Sequence, residues 1–335
     1  MSITIHAREQ DLFSDVGKEA KNQNANTINP WGIALSNGFV YVANNGSGTV
    51  SQFDGTGTML LSEFVVPSNP VGTAGNPTGI VANNGSGFII TNTTTGASGP
   101  SKLILCTEDG QILGFNSAVD RLNAIPLVVS DPAVAVYKGL ALLNDTFLYV
   151  CNFRSGFLEQ YDTTSTLLQT FTDTNLTTIG YAPFNVIVNN QNLLVTFAQQ
   201  DDELHDDVAG LGNGYIDVFR SSGQLVRRFF NRGPLNSPWG MLTFKLKKGI
   251  SCSCKKETHG HTFLLVGNFG GGDILIFNLE SGVFIGRVLD PSNNILTIDH
   301  VWGLLKLNNQ QVLFAAGIDA EAHGLYGILD LKVRC

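Results

Sequence analysis

The segment Asn29-Pro-Trp-Gly-Ile-Ala-Leu-Ser-Asn-Gly-Phe-Val-Tyr-Val-Ala-Asn-Asn-Gly-Ser-Gly-Thr-Val-Ser-Gln-Phe-Asp54 strings together three short runs parted by Gly/Asn turns and opened by the pair Trp31-Gly32. Short apolar runs bounded by such turns read as strands joined by tight hairpins. The opening recurs at Pro77-Thr-Gly-Ile-Val, Tyr137-Lys-Gly-Leu-Ala, Pro183-Phe-Asn-Val-Ile, Pro238-Trp-Gly-Met-Leu and Val301-Trp-Gly-Leu-Leu, so the unit restarts at residues 32, 79, 139, 185, 240 and 303. Restarts roughly 46–63 residues apart leave room for four strands each, and self-similar four-strand units are the signature of a propeller. Six restarts predict an all-β fold, a six-bladed β-propeller that occupies residues 1–335 as a single domain. The expected blades span about 29–70, 76–132, 136–175, 182–232, 236–291 and 300–335.

Blade six is one strand short, and the alternating N-terminal segment 2–13 belongs to no blade of its own. Pairing the two closes the ring and removes the exposed edge a sheet otherwise has to protect. Blade two is the least regular, with Thr78–Ala82 and Phe88–Thr91 as its first strands. A Gly/Ser/Thr loop then leads to Lys102–Thr107, and Gly110–Phe115 and Ile125–Val129 compete for the last place. Blade four carries a long acidic loop, Gln199–Gly214, and blade five an insertion, Lys245–Gly260, between its first two strands. No segment sustains a helical i, i+3, i+4 pattern over ten residues.

Composition narrows the function classes. A formal net charge of −8 argues against a general nucleic-acid binder, which needs a basic face. No apolar run approaches the roughly 20 residues of a membrane span. The N-terminus Met1-Ser-Ile-Thr-Ile-His-Ala-Arg-Glu lacks the apolar core of a signal peptide, and the compartment is left open. Five cysteines, Cys106, Cys151, Cys252, Cys254 and Cys335, make no disulfide framework.

The restart, together with Tyr41-Val-Ala-Asn-Asn-Gly-Ser-Gly-Thr-Val-Ser-Gln-Phe-Asp54, resembles the NHL repeat of six-bladed propellers. From about residue 13 onward the chain resembles an uncharacterised, largely bacterial family of NHL-like propeller proteins. The resemblance rests on Asn29-Pro-Trp-Gly, Thr107-Glu-Asp-Gly110, Val136-Tyr-Lys-Gly-Leu-Ala141, Ala182-Pro-Phe-Asn185, His205-Asp-Asp-Val-Ala-Gly210, Asn236-Ser-Pro-Trp-Gly240, Val266-Gly-Asn-Phe-Gly270 and Asp319-Ala-Glu321. It implies a fold and no activity. Members of that family are usually exported, a trait from which this chain departs by lacking a leader. A more distant resemblance is to gluconolactonase-type propellers, which bind metal through axial asparagines.

Three constellations carry candidate chemistry. The residues before the restart glycines, Trp31, Thr78, Lys138, Phe184, Trp239 and Trp302, should ring the axis. Trp31, Trp239 and Trp302 would sit side by side as an aromatic platform for a carbohydrate or other flat ligand, with Phe184 beside them and Lys138 opposite; the alternative is packing between blades. Second strands ending in Asn44, Asn92, Asn152 and Asn268 suggest turn-capping asparagines more than metal ligands. Blades four and six break that rule and run instead into Asp201-Asp-Glu203-Leu-His205, with Asp206 and Asp207, and Asp319-Ala-Glu321-Ala-His323. Carboxylates with imidazole suit a divalent cation, calcium or manganese, or general acid–base work, or act as turn caps. Cys252-Ser-Cys254 with His259-Gly-His261 in the blade-five insertion offers thiolates and imidazoles to zinc or copper, at a spacing tighter than usual.

No nucleophile elbow, phosphate loop or dinucleotide fingerprint is present. The leading reading is a binding propeller that takes a protein or small-molecule ligand at its axial face. A metal-dependent, lactonase-like hydrolase needs a glutamate in the axial ring, and none stands at those positions. A structural component of a larger assembly, with Cys335 at the terminus, is the third reading.

Overall fold

The computed structural model describes residues 3–70, 72, 74–245 and 262–334. Six antiparallel sheets surround an axial channel of about 260 Å³, lined by the first strand of every blade. Blade one runs outward through Pro30–Ser36, Phe39–Asn44, Thr49–Phe53 and Leu60–Val65. Blade three repeats it with Tyr137–Leu143, Phe147–Asn152, Phe157–Tyr161 and Leu167–Phe171. Blade four consists of Tyr181–Asn189, Asn192–Gln199, Tyr215–Arg220 and Leu225–Asn231, and blade five of Pro238–Lys245, Thr262–Asn268, Ile274–Asn278 and Phe284–Arg287. Second strands sit between neighbouring blades and are buried on both faces, which is why Gln311–Ala316 reads as a continuous apolar run. Fourth strands face solvent, and in Leu167–Phe171 every residue but the last is exposed.

The restart glycine has a steric cause. A Cβ on Gly32 would lie 2.5 Å from the Thr78 carbonyl oxygen, one on Gly240 2.3 Å from that of Trp302, and one on Gly303 2.2 Å from that of Trp31. Each contact is to the axial residue of the next blade, so inner strands approach more closely than a side chain permits. Blade four carries Asn185 instead, and its Nδ2 donates to the Trp239 carbonyl oxygen at 2.8 Å. A polar side chain there bonds the backbone atom that glycine elsewhere merely admits.

The ring closes as expected. Thr4–Ser14 pairs antiparallel with Leu325–Arg334, from Thr4 opposite Arg334 to Ser14 opposite Leu325, and becomes the fourth strand of blade six. Ile5 and Ala7 enter the core that blades five and six share. Asn22–Gln23 then adds a short parallel strand to its outer edge.

Blade two departs from the expectation. Its sheet is Pro77–Ala82, Leu103–Thr107, Gln111–Phe115 and Ile125–Val129, while Ile89–Thr91 and Ser98–Pro100 form a separate hairpin inserted between the first and second strands. Phe88–Thr91 is therefore not a blade strand, and Asn92 does not end one. Asn92 Oδ1 caps the hairpin turn and its amide reaches Asp120 at 2.9 Å. The apolar run Phe88-Ile-Ile is buried against the blade only in part, through Phe88 and Ile90, so composition alone could not tell a strand of the blade from one laid over it. The one helical element among the described residues is a single turn, Thr174–Thr177, capped by Asp173.

The steric reading makes a sharp demand at blade six. Gly303→Ala should cost about 1–3 kcal/mol, the usual range for overpacking a close contact. Chemical denaturation would measure it. An alanine variant as stable as the parent would show that the inner strands can separate without penalty.

Candidate functional site

Second-to-third-strand loops and the segments entering each first strand emerge at one end of the ring, and the side chains there form a mouth over the axis. Its floor is aromatic. Trp31 and Trp302 stack with centroids 3.5 Å apart, and Trp239 meets both edge-on at 5.8 and 5.7 Å. Phe269 stacks on Trp302 at 4.0 Å, while Phe184 packs against Phe153 and Trp302. Trp31, Trp239 and Trp302 are 3%, 4% and 1% exposed, so they plug the channel and offer no open face to a sugar. The aromatic-platform expectation is corrected to a packing role. Packing three indoles together at the axis buries more apolar area than displaying them would. Trp302 Nε1 donates to Asn29 Oδ1 at 3.1 Å, but the indole N–H groups of Trp31 and Trp239 have no partner within the protein.

Lys138 lies at the centre of the mouth, 1% exposed. Its ammonium donates to Glu108 Oε1 and, at 3.0 Å, to Asp206 Oδ1. It sits 5.2 Å from the ring centre of Trp31 and 5.8 Å from that of Phe153, within cation–π range. Burial alone would lower its pKa, but the Glu108 and Asp206 carboxylates outweigh that and hold it above the ordinary lysine value. Lys138 is thus a fixed cation, unsuited to act as a base.

The two acidic loops converge in part. From blade four, Asp206 bonds both Lys138 and His205 Nδ1, the latter at 3.0 Å. Asp207 Oδ2 is shielded from solvent beside the Ser237 hydroxyl. Burial raises the Asp207 pKa to about 6, and the Glu321 and Asp206 charges add to it against the pull of the Ser237 hydroxyl and Lys138. From blade six, Asp319, Ala320 and Glu321 take left-handed φ values of 55°, 51° and 66°, a run that non-glycine residues adopt at a cost. Glu321 accepts a 2.9 Å bond from Asn29, and burial raises its pKa, with Glu108 adding to the rise.

The remaining residues of both motifs do other work. Asp201 Oδ1 accepts from the His205 backbone N–H at 2.8 Å, and Glu203 is exposed, its carbonyl taking a bond from Arg154. Asp319 donates its backbone N–H to Asp299, and His323 points outward to Asp15 at 2.7 Å. His205 and His323 therefore serve separate loops, the first bonded to Asp206 and the second to Asp15. Among the described residues, the one grouping of three side chains close enough for a common metal is Glu108, His205 and Asp206. The Lys138 ammonium already bonds two of these three, which places a positive charge where a dication would sit. Cys252, Cys254, His259 and His261 lie outside the described residues.

Sequence reasoning missed Glu108. It follows the second strand of blade two, the place Asn45 and Phe153 take in blades one and three, and Asn45 donates to its Oε2 at 2.8 Å. Assigning that strand to Phe88–Thr91 moved the glutamate out of the mouth. The asparagines at this level behave as turn and strand partners: Asn44 donates to Thr49 and Ser51, Asn152 to Glu159, and Asn268 to Asp273.

These shifts set a pH dependence. Asp207 at about 6, and Glu9 at about 7 through burial and its neighbour Asp11, are raised above their ordinary 3.8 and 4.5. Between those limits the folded chain holds protons the unfolded chain has lost, so their contribution to stability grows as pH falls. His205 and His323, raised by Asp206 and Asp15, contribute most below the ordinary 6.5 and lose that contribution as pH rises through their folded values. Asp206, held low by His205 and Lys138, contributes until strongly acidic pH. Thermal melts should show a higher midpoint at about pH 5.5 than at about pH 8, with a decline below about pH 3.5. A midpoint that climbs steadily from pH 5 to 8 would contradict the assignment.

The chain matches the NHL repeat model over residues 27–53. It is 30% identical to "Uncharacterized protein R648" of Acanthamoeba polyphaga mimivirus over 94% of this chain and 78% of that protein. To "Uncharacterized protein L690" of the same virus it is 31% identical, over 95% and 84%. Among solved structures, virginiamycin B lyase from Staphylococcus aureus aligns with a TM-score of 0.52 and 13% identity over 98% of this chain and 99% of its own. A chain of the outer coat vertex of COPII on membranes aligns at 0.54 and 12% over 91% and 69%. The structural matches at such low identity speak for the propeller fold alone. With the repeat match in blade one, six closed blades and relatives aligned along nearly its whole length, the chain belongs to the family of NHL-like six-bladed propellers that includes these mimivirus proteins.

Proposed function

We propose that the protein is a non-catalytic binding propeller whose loop-bearing axial face receives a basic partner protein. The observation that carries this reading is the meeting of Glu108 and Asp206, from blades two and four, on the buried ammonium of Lys138, with Asp207 and Glu321 near enough to feel its charge. Carboxylates outnumber the cations that answer them, and Asp201, Asp202, Glu203 and Asp319 extend the negative field around the rim. Such a field steers oppositely charged partners and fixes their orientation. The net charge of −8 is consistent with that preference.

A hydrolytic reading is less well supported. It needs an acid or base free to move a proton, yet Glu108 has one oxygen on Lys138 and the other on Asn45, and Lys138 stays protonated.

All three tryptophans of the chain lie beneath the mouth, so intrinsic fluorescence reports on it directly. Titration with poly-lysine should change the emission, and raising salt from about 0.05 to about 0.5 M should weaken the response. Poly-glutamate should leave it unchanged. No response to poly-lysine, or an equal response to both polymers, would overturn the reading.

A further inference from the structure

At the end away from the mouth, the two-stranded ribbon that closes the ring has two unlike faces. Successive side chains of a strand point to opposite sides. Ile5, Ala7, Leu329 and Leu331 enter the core that blades five and six share, while His6, Arg8, Asp330, Lys332 and Arg334 take the other side. Register sets these on adjacent rungs: Arg8 lies opposite Asp330, His6 opposite Lys332, and Thr4 opposite Arg334. Side chains on facing rungs are within reach of one another. The five residues line a groove of about 800 Å³, rimmed by Asn308 and Gln310 from the first-to-second-strand loop of blade six. That volume is of the size of a small-molecule site.

The groove is cationic in a chain whose net charge is −8. Its one lining carboxylate is already committed, since Asp330 accepts from Arg8 at 2.9 Å, from Gln10 at 2.5 Å and from Gln311 at 2.9 Å. Asp290, next to His6, turns its carboxylate to the backbone N–H groups of Ser292 and Asn294. His6 itself is 5% exposed and fixed by its Nδ1–H, which donates to the Asp290 carbonyl oxygen at 3.1 Å. Lys332 and Arg334 are exposed, and neither side chain has an ion pair or hydrogen bond among the described residues. Two cations on neighbouring rungs oppose one another until an anion answers them.

We propose that this groove binds a phosphate ester, with the phosphate held between Lys332 and Arg334. The site is independent of the mouth, which lies at the other end of the ring. A phosphate carries nearly two charges and three acceptor oxygens, enough to take an ammonium and a two-pronged guanidinium together. A carboxylate has one charge and one pair of oxygens to divide between them. Gln310, whose side-chain amide bonds nothing among the described residues, stands at the rim to meet a hydroxyl of the esterified portion.

Calorimetry on the full chain with glucose 6-phosphate, glucose and glucuronate tests the site, together with flotation on phosphatidylcholine vesicles with and without phosphatidate. Glucose 6-phosphate should bind, glucose should not, and glucuronate should bind about fivefold more weakly than the phosphate. Raising salt from about 0.05 to about 0.5 M should weaken binding. Lys332→Gln and Arg334→Gln should each cost about threefold in affinity and the double variant about tenfold, as exposed charge-assisted contacts do. The variants should melt at the parent's temperature and keep its response to poly-lysine, which reads the mouth. Capture of the parent by phosphatidate vesicles, lost in the double variant, assigns the phosphate to a lipid headgroup. Glucose 6-phosphate binding without capture assigns it to a soluble ester; both outcomes support the site. Binding of neither probe would overturn it. So would a double variant within about twofold of the parent, or glucuronate that binds as tightly as glucose 6-phosphate.

Discussion

The close approach of six inner strands around the axis is the constraint on which the rest of the molecule depends. At Gly32, Gly240 and Gly303 a backbone oxygen of the next blade occupies the place of a Cβ, and at Asn185 an amide bonds the equivalent oxygen. With the strands this near, the residues before the glycines have nowhere to go but upward over the axis. Trp31, Trp239 and Trp302 therefore pack into a plug, and Lys138 is drawn into the same layer. Backbone packing of the ring and composition of the mouth are consequences of one spacing.

Once the plug is in place, the electrostatics of the mouth follow. A buried ammonium is costly unless carboxylates meet it, and Glu108 and Asp206 do so from two different blades. The loops that carry them are the places where the repeat is least faithful. Blade four replaces a short turn with the acidic loop that ends in Asp206 and Asp207, and blade six bends through three left-handed residues to present Glu321. Regular blades supply the frame, and departures from regularity supply the chemistry.

Closure of the ring serves the same end. Thr4–Ser14 joins the two ends of the chain in one sheet, so blade six, which presents Glu321, has the full four strands that the other blades build from local connections. Asp15, immediately after that strand, takes the His323 side chain and the Gly324 backbone N–H. The closing strand thus anchors the far end of the blade-six loop, leaving its middle to face the axis.

What the sequence determined by itself was the repeat. Period-two strands, Asn/Gly turns and the recurring X-Gly pair specify six four-stranded units, because those signals act over a few residues and need no partner to be read. The spare N-terminal strand and the short last blade likewise name each other by simple accounting. Tertiary structure decided the rest. Whether Phe88–Thr91 or Leu103–Thr107 lies in the sheet depends on which run packs against blades one and three, and both runs are apolar. That choice placed Glu108 at the mouth. It also fell to the tertiary structure to bury the tryptophans rather than display them and to split each Asp-x-Glu-x-His motif, sending Glu321 inward and His323 outward. Those outcomes turn on distances between blades that are far apart in sequence, and no local pattern of residue types encodes them.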